Sequence, residues 1–488
     1  MKLTRLLDRL PGGTLDGDGG ADVRCITHDS REVRRGVIFA ALPGEHAHGM
    51  DFLDQALANG AAAVLTNRAR PTGVEVPWIR SSRPRRLMAL AAWPLAGNPQ
   101  QRLVMVGITG TNGKSTTAHM VSLMLAAAGM PATFVGTLGC VLPSGKTVPS
   151  PRTTPEASDL APLLRRSVRL GGRAVAMEVS SHALVQDRMA GLEFQVAAWT
   201  NLTRDHLDYH GDMESYYQAK RRLFDEHLAQ DGRRVLPVED PWGARLLDEP
   251  RAGDISWGLG HGDVSASEVA SDLSGSRFVL TIEGVSVPVT VQLVGVHNLR
   301  NALAAAACAH AAGVGPDAIR EGLHAARPLT GRLELAAVDF PFPVLVDYAH
   351  TPGGLRTVLQ ALRRLTDRRL IVVFGAGGDR DQGKRGPMGF AAGELADLVV
   401  VTSDNPRSED PSIIATAVAD GVRTAGAEPC VILDRQEAIA HALEIADSGA
   451  LVLIAGKGHE TTQTVGERVL PFSDHEVVQQ LAGGALCG

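Results

Sequence analysis

The chain is poor in cysteine, has no long apolar run and carries no block of one charge, and each lack removes a class of protein. Its five cysteines, Cys25, Cys140, Cys308, Cys430 and Cys487, are odd in number and show no C-x-x-C spacing. That pattern supports neither a disulfide framework nor a structural zinc site, and it suits a reducing compartment. No apolar run approaches the roughly 20 residues of a membrane span. Residues 1–11 alternate Leu with Arg, Lys and Asp and lack the apolar stretch of a secretion signal. Lys+Arg number 48 against 54 Asp+Glu, a formal net charge of −6 with no basic tail. Such a balance gives no general affinity for nucleic acid or for an anionic membrane. The expectation is a soluble cytoplasmic protein whose 488 residues, 44% hydrophobic, divide into several domains.

What is present begins with residues 104–116, where the β-prone run Val104-Met105-Val106 breaks into a glycine-rich turn and ends in Lys114-Ser115-Thr116. Gly110, Thr111, Asn112 and Gly113 supply a turn whose backbone N–H groups, with the following helix N-terminus, cradle a phosphate. Lys114 adds a point charge and the Ser115 hydroxyl can hold Mg²⁺. The generic P-loop places a glycine where Ile108 stands; here the glycines are Gly107, Gly110 and Gly113.

Residues 1–98 read as a small α/β unit holding a polar cluster, Thr27-His28-Asp29-Ser30-Arg31. A turn signal near Asn98-Pro99 opens a second unit. There the strand 103–106 feeds a helix over 115–128, a helix over 157–170 precedes the strand 174–179, and the strand 196–199 ends in Thr200 to His206. A helix over 213–228 carries Lys220. Strand–helix alternation of this kind specifies a parallel doubly wound sheet whose polar strand ends gather at one edge. Residues 265–294 alternate as antiparallel strands, and an alanine-rich helix over 299–312 follows. From Gly331-Arg332 a third set of strand–helix units runs to the end, each strand closed by a polar or glycine-rich turn. The fold expected is three α/β domains: residues 1–98, a central 99–332 with a P-loop-type parallel sheet and an added antiparallel sheet, and a Rossmann-like 333–488.

Glu178 ends an apolar strand in the βα unit after the cradle, where a carboxylate can hold the Mg²⁺ that bridges nucleotide phosphates. His206 ends another strand and can meet the same phosphates. Arg380 and Arg407, with Asn405 between them, sit in turns at strand ends, where guanidinium forks suit carboxylates.

These residues carry a resemblance. Residues 107–116, Glu178 to His182, Asn201 to Asp208, His297-Asn298 and Gly331-Arg332 resemble the motifs of the Mur ligases, in that family's order. Asp347 to Pro352, Gly377 to Arg385, Asp404-Asn405-Pro406-Arg407 and Gly456 to Glu460 are similar to its MurE-type branch, the UDP-N-acetylmuramoyl-tripeptide synthetases. The resemblance spans nearly the whole chain. It implies an ATP- and Mg²⁺-dependent ligase of peptidoglycan synthesis. In that reaction the γ-carboxylate of D-glutamate in UDP-N-acetylmuramoyl-L-alanyl-D-glutamate is phosphorylated, and the amine of meso-diaminopimelate attacks the acyl phosphate.

By the same resemblance, Lys114, Glu178, His206 and Lys220 are catalytic. Lys220 is a carbamate that joins Ser115, Glu178 and His206 in holding metal. Residues 110–116 with Asn298 and Arg332 bind ATP. His28, Ser30, Glu45, His46 and Ala47 take the uridine end of the sugar nucleotide, and Arg152, Thr153, Thr154, Ser180, Gln186 and Arg188 its muramoyl-dipeptide. Arg380, Asp404, Asn405, Pro406, Arg407, Gly456 and Glu460 take diaminopimelate, Arg407 facing the second carboxylate that L-lysine lacks. The partners implied are these small molecules alone, with no nucleic acid and no membrane insertion, and the chain is expected to be a monomer. The rivals are a lysine-adding relative, a folylpolyglutamate synthase and a nucleotide-gated regulatory protein. The Asp404 to Arg407 motif opposes the first, the Asp29-Ser30-Arg31 unit the second, and the lack of an Asn-Lys-x-Asp guanine signal the third.

Overall fold

A computed structural model describes residues 1–44, 47–336 and 338–485, so Glu45 and His46 lie outside the described residues. The first sheet has five strands in the order Thr14–Asp16, Trp78–Arg80, Ala63–Thr66, Val37–Ala40, Cys25–Thr27. Every pair is parallel except the first. Val37–Ala40 and Ala63–Thr66 are buried along their whole length, as parallel strands covered on both faces must be.

The second sheet has eleven strands, and its parallel centre carries the phosphate loop. Val104–Thr109 lies between Ala174–Glu178 and Phe194–Trp199, with Glu178 in register with Ile108 and Trp199 with Thr109. The ends of the two flanking strands therefore stand on either side of the loop, at the carboxyl edge where ligands bind in such sheets. The antiparallel strands Val264–Asp272, Gly275–Ile282 and Val285–Val291 continue the edge of this same sheet. Val104–Thr109 runs three residues past the expected end at Val106, because Gly107 and Ile108 still pair with both neighbours and Thr109 with Trp199. The helix expected to reach Leu228 stops at Glu226, and a strand Leu228–Pro237 follows. Its polar first half hides the buried Val235 and Leu236 from a reading by hydrophobic pattern.

One face of the sheet is covered by the phosphate-loop helix Lys114–Ala127 and by Val296–Ala311. Ala304 to Ala307 and Ala309 on the second helix are wholly buried, since a methyl side chain lets the two backbones approach closely. The third sheet places Val344–Asp347, Ala450–Ala455, Arg369–Phe374 and Leu398–Val401 side by side and parallel, with apolar clusters on both faces.

The first and second sheets share one apolar core, which runs from Leu3 and Trp93 to Phe194 and Leu246. The Trp93 indole donates to the Ala190 carbonyl at 2.8 Å and Arg83 pairs with Asp187 at 2.8 Å across this seam. The passage into the third sheet is made by Gly331 (φ +67°) and Leu333 (φ +49°). A Cβ on Gly331 would press into the Gly458–His459 backbone, so only glycine fits there.

Candidate functional site

The odd glycine spacing of the loop has a packing cause. A Cβ at Gly107 would stand 2.8 Å from the Phe194 ring, so this glycine makes room between strands. Gly110 (φ +147°) lies against the Thr200 hydroxyl, and Gly113 (φ +85°) caps the helix with the Asn301 amide against it. Ile108 is a wholly buried strand residue and has no part in the turn. The loop is laced to the turn after Phe194–Trp199. Thr111 N donates to the Asn201 carbonyl at 2.8 Å, Asn112 N to Asn201 Oδ1 at 3.0 Å, and the Thr200 hydroxyl to the Asn112 carbonyl at 2.7 Å. The loop is thereby held in shape ahead of any ligand.

A cleft of about 460 Å³ opens above the loop, between the second and third sheets. Thr111 to Thr116, Glu178, His206, Asn298 and Arg332 all line it, as do Thr153 and Ser180. The Lys114 ammonium folds back on the Gly110 and Thr111 carbonyls at 3.0 and 2.8 Å. Burial lowers its pKa, opposed by the Glu178 charge. Glu178, 1% exposed, accepts from Thr137 N at 2.8 Å and from the Thr137 hydroxyl at 3.3 Å. His206 sits in the left-handed region (φ +53°) with Asp205 Oδ2 at 3.5 Å. Burial pushes its pKa down to about 4 against the pull of Asp205, and Lys220 and Lys114 add to the fall. It is a neutral imidazole at pH 7, the form that ligates a metal. The Arg332 guanidinium stacks 4.5 Å over Tyr348. Burial raises the nearby Asp347 to about 6, with Arg332 opposing.

Among the described residues no three His, Cys, Asp or Glu side chains form a metal cluster. Among the carboxylates, hydroxyls and imidazoles that line the cleft are the three expected donors, Glu178, Ser115 and His206. That donor set fits Mg²⁺, which takes its remaining ligands from phosphate oxygens and water.

Lys220 does not line the cleft. It lies beneath the loop, 1% exposed, and donates to the same Gly110 carbonyl at 2.7 Å. Its ammonium is 4.5 Å from the Tyr216 ring centre, and no carboxylate pairs with it among the described residues. Burial first, and Lys114 second, depress its pKa well below the usual lysine value. Lys220 is therefore no part of the helix's solvated face.

The diaminopimelate set gathers at the third sheet. Asn405 donates to Glu460 at 2.8 Å and to Asp404 at 3.1 Å. Arg407 (φ +53°) donates to the Gly378 carbonyl at 2.6 Å, and Gly377 lies against both Arg407 and Arg380. Gly456 faces the Asp404 carboxylate, and Pro406 is buried beneath. The cluster adjoins the cleft: the His459 ring is 4.9 Å from that of Tyr348, and Arg204 reaches Asp381 at 3.4 Å.

On the sugar-nucleotide side the expected residues divide. Thr153 and Ser180 open to the cleft, whereas Thr154 is wholly buried and ties the Glu178 carbonyl (2.9 Å) to Ser180 N (3.0 Å). Arg188 donates to the Thr154 carbonyl at 3.0 Å and to Gln186 at 2.6 Å. The buried Glu156 carboxylate holds Arg188 at 3.3 Å, Arg152 at 3.8 Å, and Arg85 from the first unit. Ser30 donates to Gln55 at 2.6 Å, His28 Nδ1 stands 3.4 Å from the Ser158 hydroxyl, and Ala47 is exposed.

Family models match along the chain in order: "Mur ligase family, catalytic domain" over residues 22–93, "Mur ligase middle domain" over 108–309 and "Mur ligase, glutamate ligase domain" over 331–458. A UDP-N-acetylmuramoyl-L-alanyl-D-glutamate--2,6-diaminopimelate ligase of Solibacter usitatus is 41% identical over 95% of this chain and 94% of its own. Proteins of the same name from Geobacter metallireducens and Streptomyces coelicolor are 40% and 41% identical, each over 98% of this chain and over 98% and 96% of their own. The chain belongs to the Mur ligase family. A solved structure of a ligase of that same name superposes with a TM-score of 0.66 at 30% identity, over 100% of this chain and 99% of the other. MurF from Acinetobacter baumannii (TM-score 0.70, 22% identity, 93% of this chain and 95% of that one) shares the fold.

This Mur ligase also holds residues that sequence reasoning passed over as parts of motifs. Lys457 is wholly buried and bridges Glu460 (3.1 Å), Asn405 (3.3 Å) and Asp404 (3.7 Å). Thr200, Asn201 and Thr203 fasten the loop, and Asp205, Asp347 and His350 line the cleft. Their sequence signal was a place in polar turns after strands and, for all but Thr200, in the motifs that resemble the family, and neither separates a residue that holds a turn together from one that faces a ligand.

Proposed function

We propose that the chain is a UDP-N-acetylmuramoyl-L-alanyl-D-glutamate--2,6-diaminopimelate ligase, ATP-dependent and cytoplasmic, acting in peptidoglycan synthesis as a monomer of three domains (1–98, 99–332 and 333–488). The observation that carries the reading is one cleft in which a phosphate loop, Glu178 and His206 face Arg332 and Tyr348 from the third sheet, next to the Arg380/Arg407 cluster. Bound Mg²⁺ would be held by Ser115, Glu178 and His206 and would offset the charge of the phosphates; Lys220, as carbamate, would join them by turning from the Gly110 carbonyl toward the cleft.

The chain's own residues do the rest. Loop amides 110–116 and Lys114 orient the nucleotide so that a γ-carboxylate oxygen attacks the γ-phosphorus and ADP departs. To serve, the Lys114 ammonium turns from its two carbonyls toward the phosphates. Asn298 and Arg332 hold the rest of the nucleotide. Thr153, Ser180, Gln186 and Arg188 fix the muramoyl-dipeptide, with Arg152 and Thr154 shaping that turn and His28, Ser30 and residues 45–47 taking the uridine. Arg380, Asn405 and Arg407 hold one end of diaminopimelate by its carboxylate and Glu460 its ammonium, so the free amine at the other end reaches the acyl phosphate. Attack forms the C–N bond, and the tetrahedral intermediate expels phosphate.

A phosphate-release assay with UDP-N-acetylmuramoyl-L-alanyl-D-glutamate and ATP tests this. Release is expected with meso-diaminopimelate and not with L-lysine. Release with lysine alone would refute the substrate, and none with either amino acid would refute the ligase.

A further inference from the structure

The chain has a second concavity that the ligase chemistry leaves unused. It is a groove of about 570 Å³ along the edge strand Cys25–Thr27, walled by the helices Pro84–Ala96 and Ala157–Arg169. Five arginines face it: Arg24 and Arg34 from the first unit and Arg165, Arg166 and Arg169 from the second. Its one carboxylate, Glu32, accepts from the Thr27 hydroxyl at 3.2 Å. Among the described residues none of the five guanidiniums comes within 4.0 Å of a carboxylate. Nearby arginines at the same seam are all paired: Arg83, Arg86 and Arg222 with Asp187, and Arg85 with Glu156.

Five like charges converging on one hollow repel each other, and in a chain of net charge −6 counter-charges were to hand. The floor is apolar, built from Ile26, Val37, Ala92 and Leu95. Guanidinium forks around an apolar floor suit a molecule with several phosphate oxygens at one end and a ring or other apolar body at the other. The volume lies in the range of small-ligand pockets. None of the residues assigned above to uridine, muramoyl-dipeptide, ATP or diaminopimelate lines the groove, although Ser158 at its rim touches His28.

We propose that this groove is a separate binding site for an organic polyphosphate of nucleotide size, its phosphates on the five arginines and its apolar body on the floor. The site straddles the seam, so an occupant ties the first unit to the helix Ala157–Arg169.

Cys25 lines the groove as a free, half-buried thiol and reports occupancy without reference to the phosphate loop. The experiment alkylates the full chain with iodoacetamide at alkaline pH and follows the Cys25 peptide by mass spectrometry, with ADP, inorganic tripolyphosphate or the UDP-sugar substrate present. ADP is expected to slow labelling about tenfold or more, tripolyphosphate less, and the UDP-sugar not at all. Arg165→Glu/Arg169→Glu and, from the other wall, Arg24→Ala/Arg34→Ala are expected to abolish protection while phosphate release stays within about twofold. Lys114→Ala is expected to keep it. No protection by ADP, protection that survives both groove variants, or protection lost in Lys114→Ala overturns the site. Equal protection by tripolyphosphate overturns the apolar part of the ligand, and protection by the UDP-sugar shows the groove to be part of the substrate site.

Discussion

Lys220→Met is expected to leave the fold as stable as before while abolishing turnover. The Lys220 ammonium is 1% exposed, with one carbonyl at 2.7 Å and one ring face at 4.5 Å as partners. A hydrogen bond from a charged group contributes about 1.5–3 kcal/mol and a desolvated cation–π contact about 2 kcal/mol. Burying the ion costs several kcal/mol in return, so the balance is near zero. Methionine keeps the apolar stem in place, and the Gly110 carbonyl retains Lys114 as donor at 3.0 Å. The net change in unfolding free energy is expected to be within about 2 kcal/mol of zero, where a cavity-forming core truncation costs about 2–5 kcal/mol. Turnover is expected to fall by about 10²–10³ or more, the loss typical of one preorganised charge-stabilising group.

The same substitution changes the pH dependence of stability. Burial depresses the Lys220 pKa, so below the ordinary lysine value the unfolded chain binds more protons than the folded one. This residue's contribution to stability therefore rises with pH, and Lys220→Met removes that slope. Thermal unfolding across pH and steady-state phosphate release are the two assays. Loss of more than about 4 kcal/mol, or turnover within about threefold of wild type, would refute the reasoning. Added bicarbonate should restore nothing, because methionine has no amine to carbamylate.

Asp474→Asn is expected to cost about 3–5 kcal/mol in thermal or denaturant unfolding, since it strands the wholly buried Arg435, which Asp474 holds at 2.7 and 2.8 Å. A loss below about 1 kcal/mol would show that Arg435 finds other partners. Arg407→Ala is expected to raise the KM for meso-diaminopimelate about 10²-fold; an unchanged KM would place Arg407 outside the amino-acid site. His182 and His210 are both held down to about 4 by burial. Their folded pKa values lie below the unfolded one, so the stability they permit is full above the ordinary histidine value and falls as pH drops toward 4. His182→Gln/His210→Gln should flatten that acid limb, and an unchanged limb in thermal unfolding would contradict it.

The order of chemistry along the chain is legible in the amino-acid sequence alone. Apolar runs ending in polar turns place Glu178, His206, Arg380 and Arg407 at strand ends, because strand periodicity and glycine punctuation are local properties. Local pattern also makes Ser115 a candidate, the family resemblance adds Asn298 and Arg332, and all three line the cleft. Burial is not local, and there the sequence is silent. Lys220 and its neighbours Arg221 and Arg222 are alike in sequence, yet only Lys220 is pressed under the loop, because the 3.6-residue period turns it inward while Arg221 reaches Glu249 at 2.6 Å. Lys457 reads as one member of a turn until the sheet brings Asp404, Asn405 and Glu460 around it. The phosphate loop joins both lessons. Its sequence determined a glycine turn opening a helix, the form that suits an anion at a helix N-terminus. Only the packing of Phe194, Thr200 and Asn301 decided why its glycines fall where they do, because a glycine required by a distant neighbour carries no local mark of that neighbour.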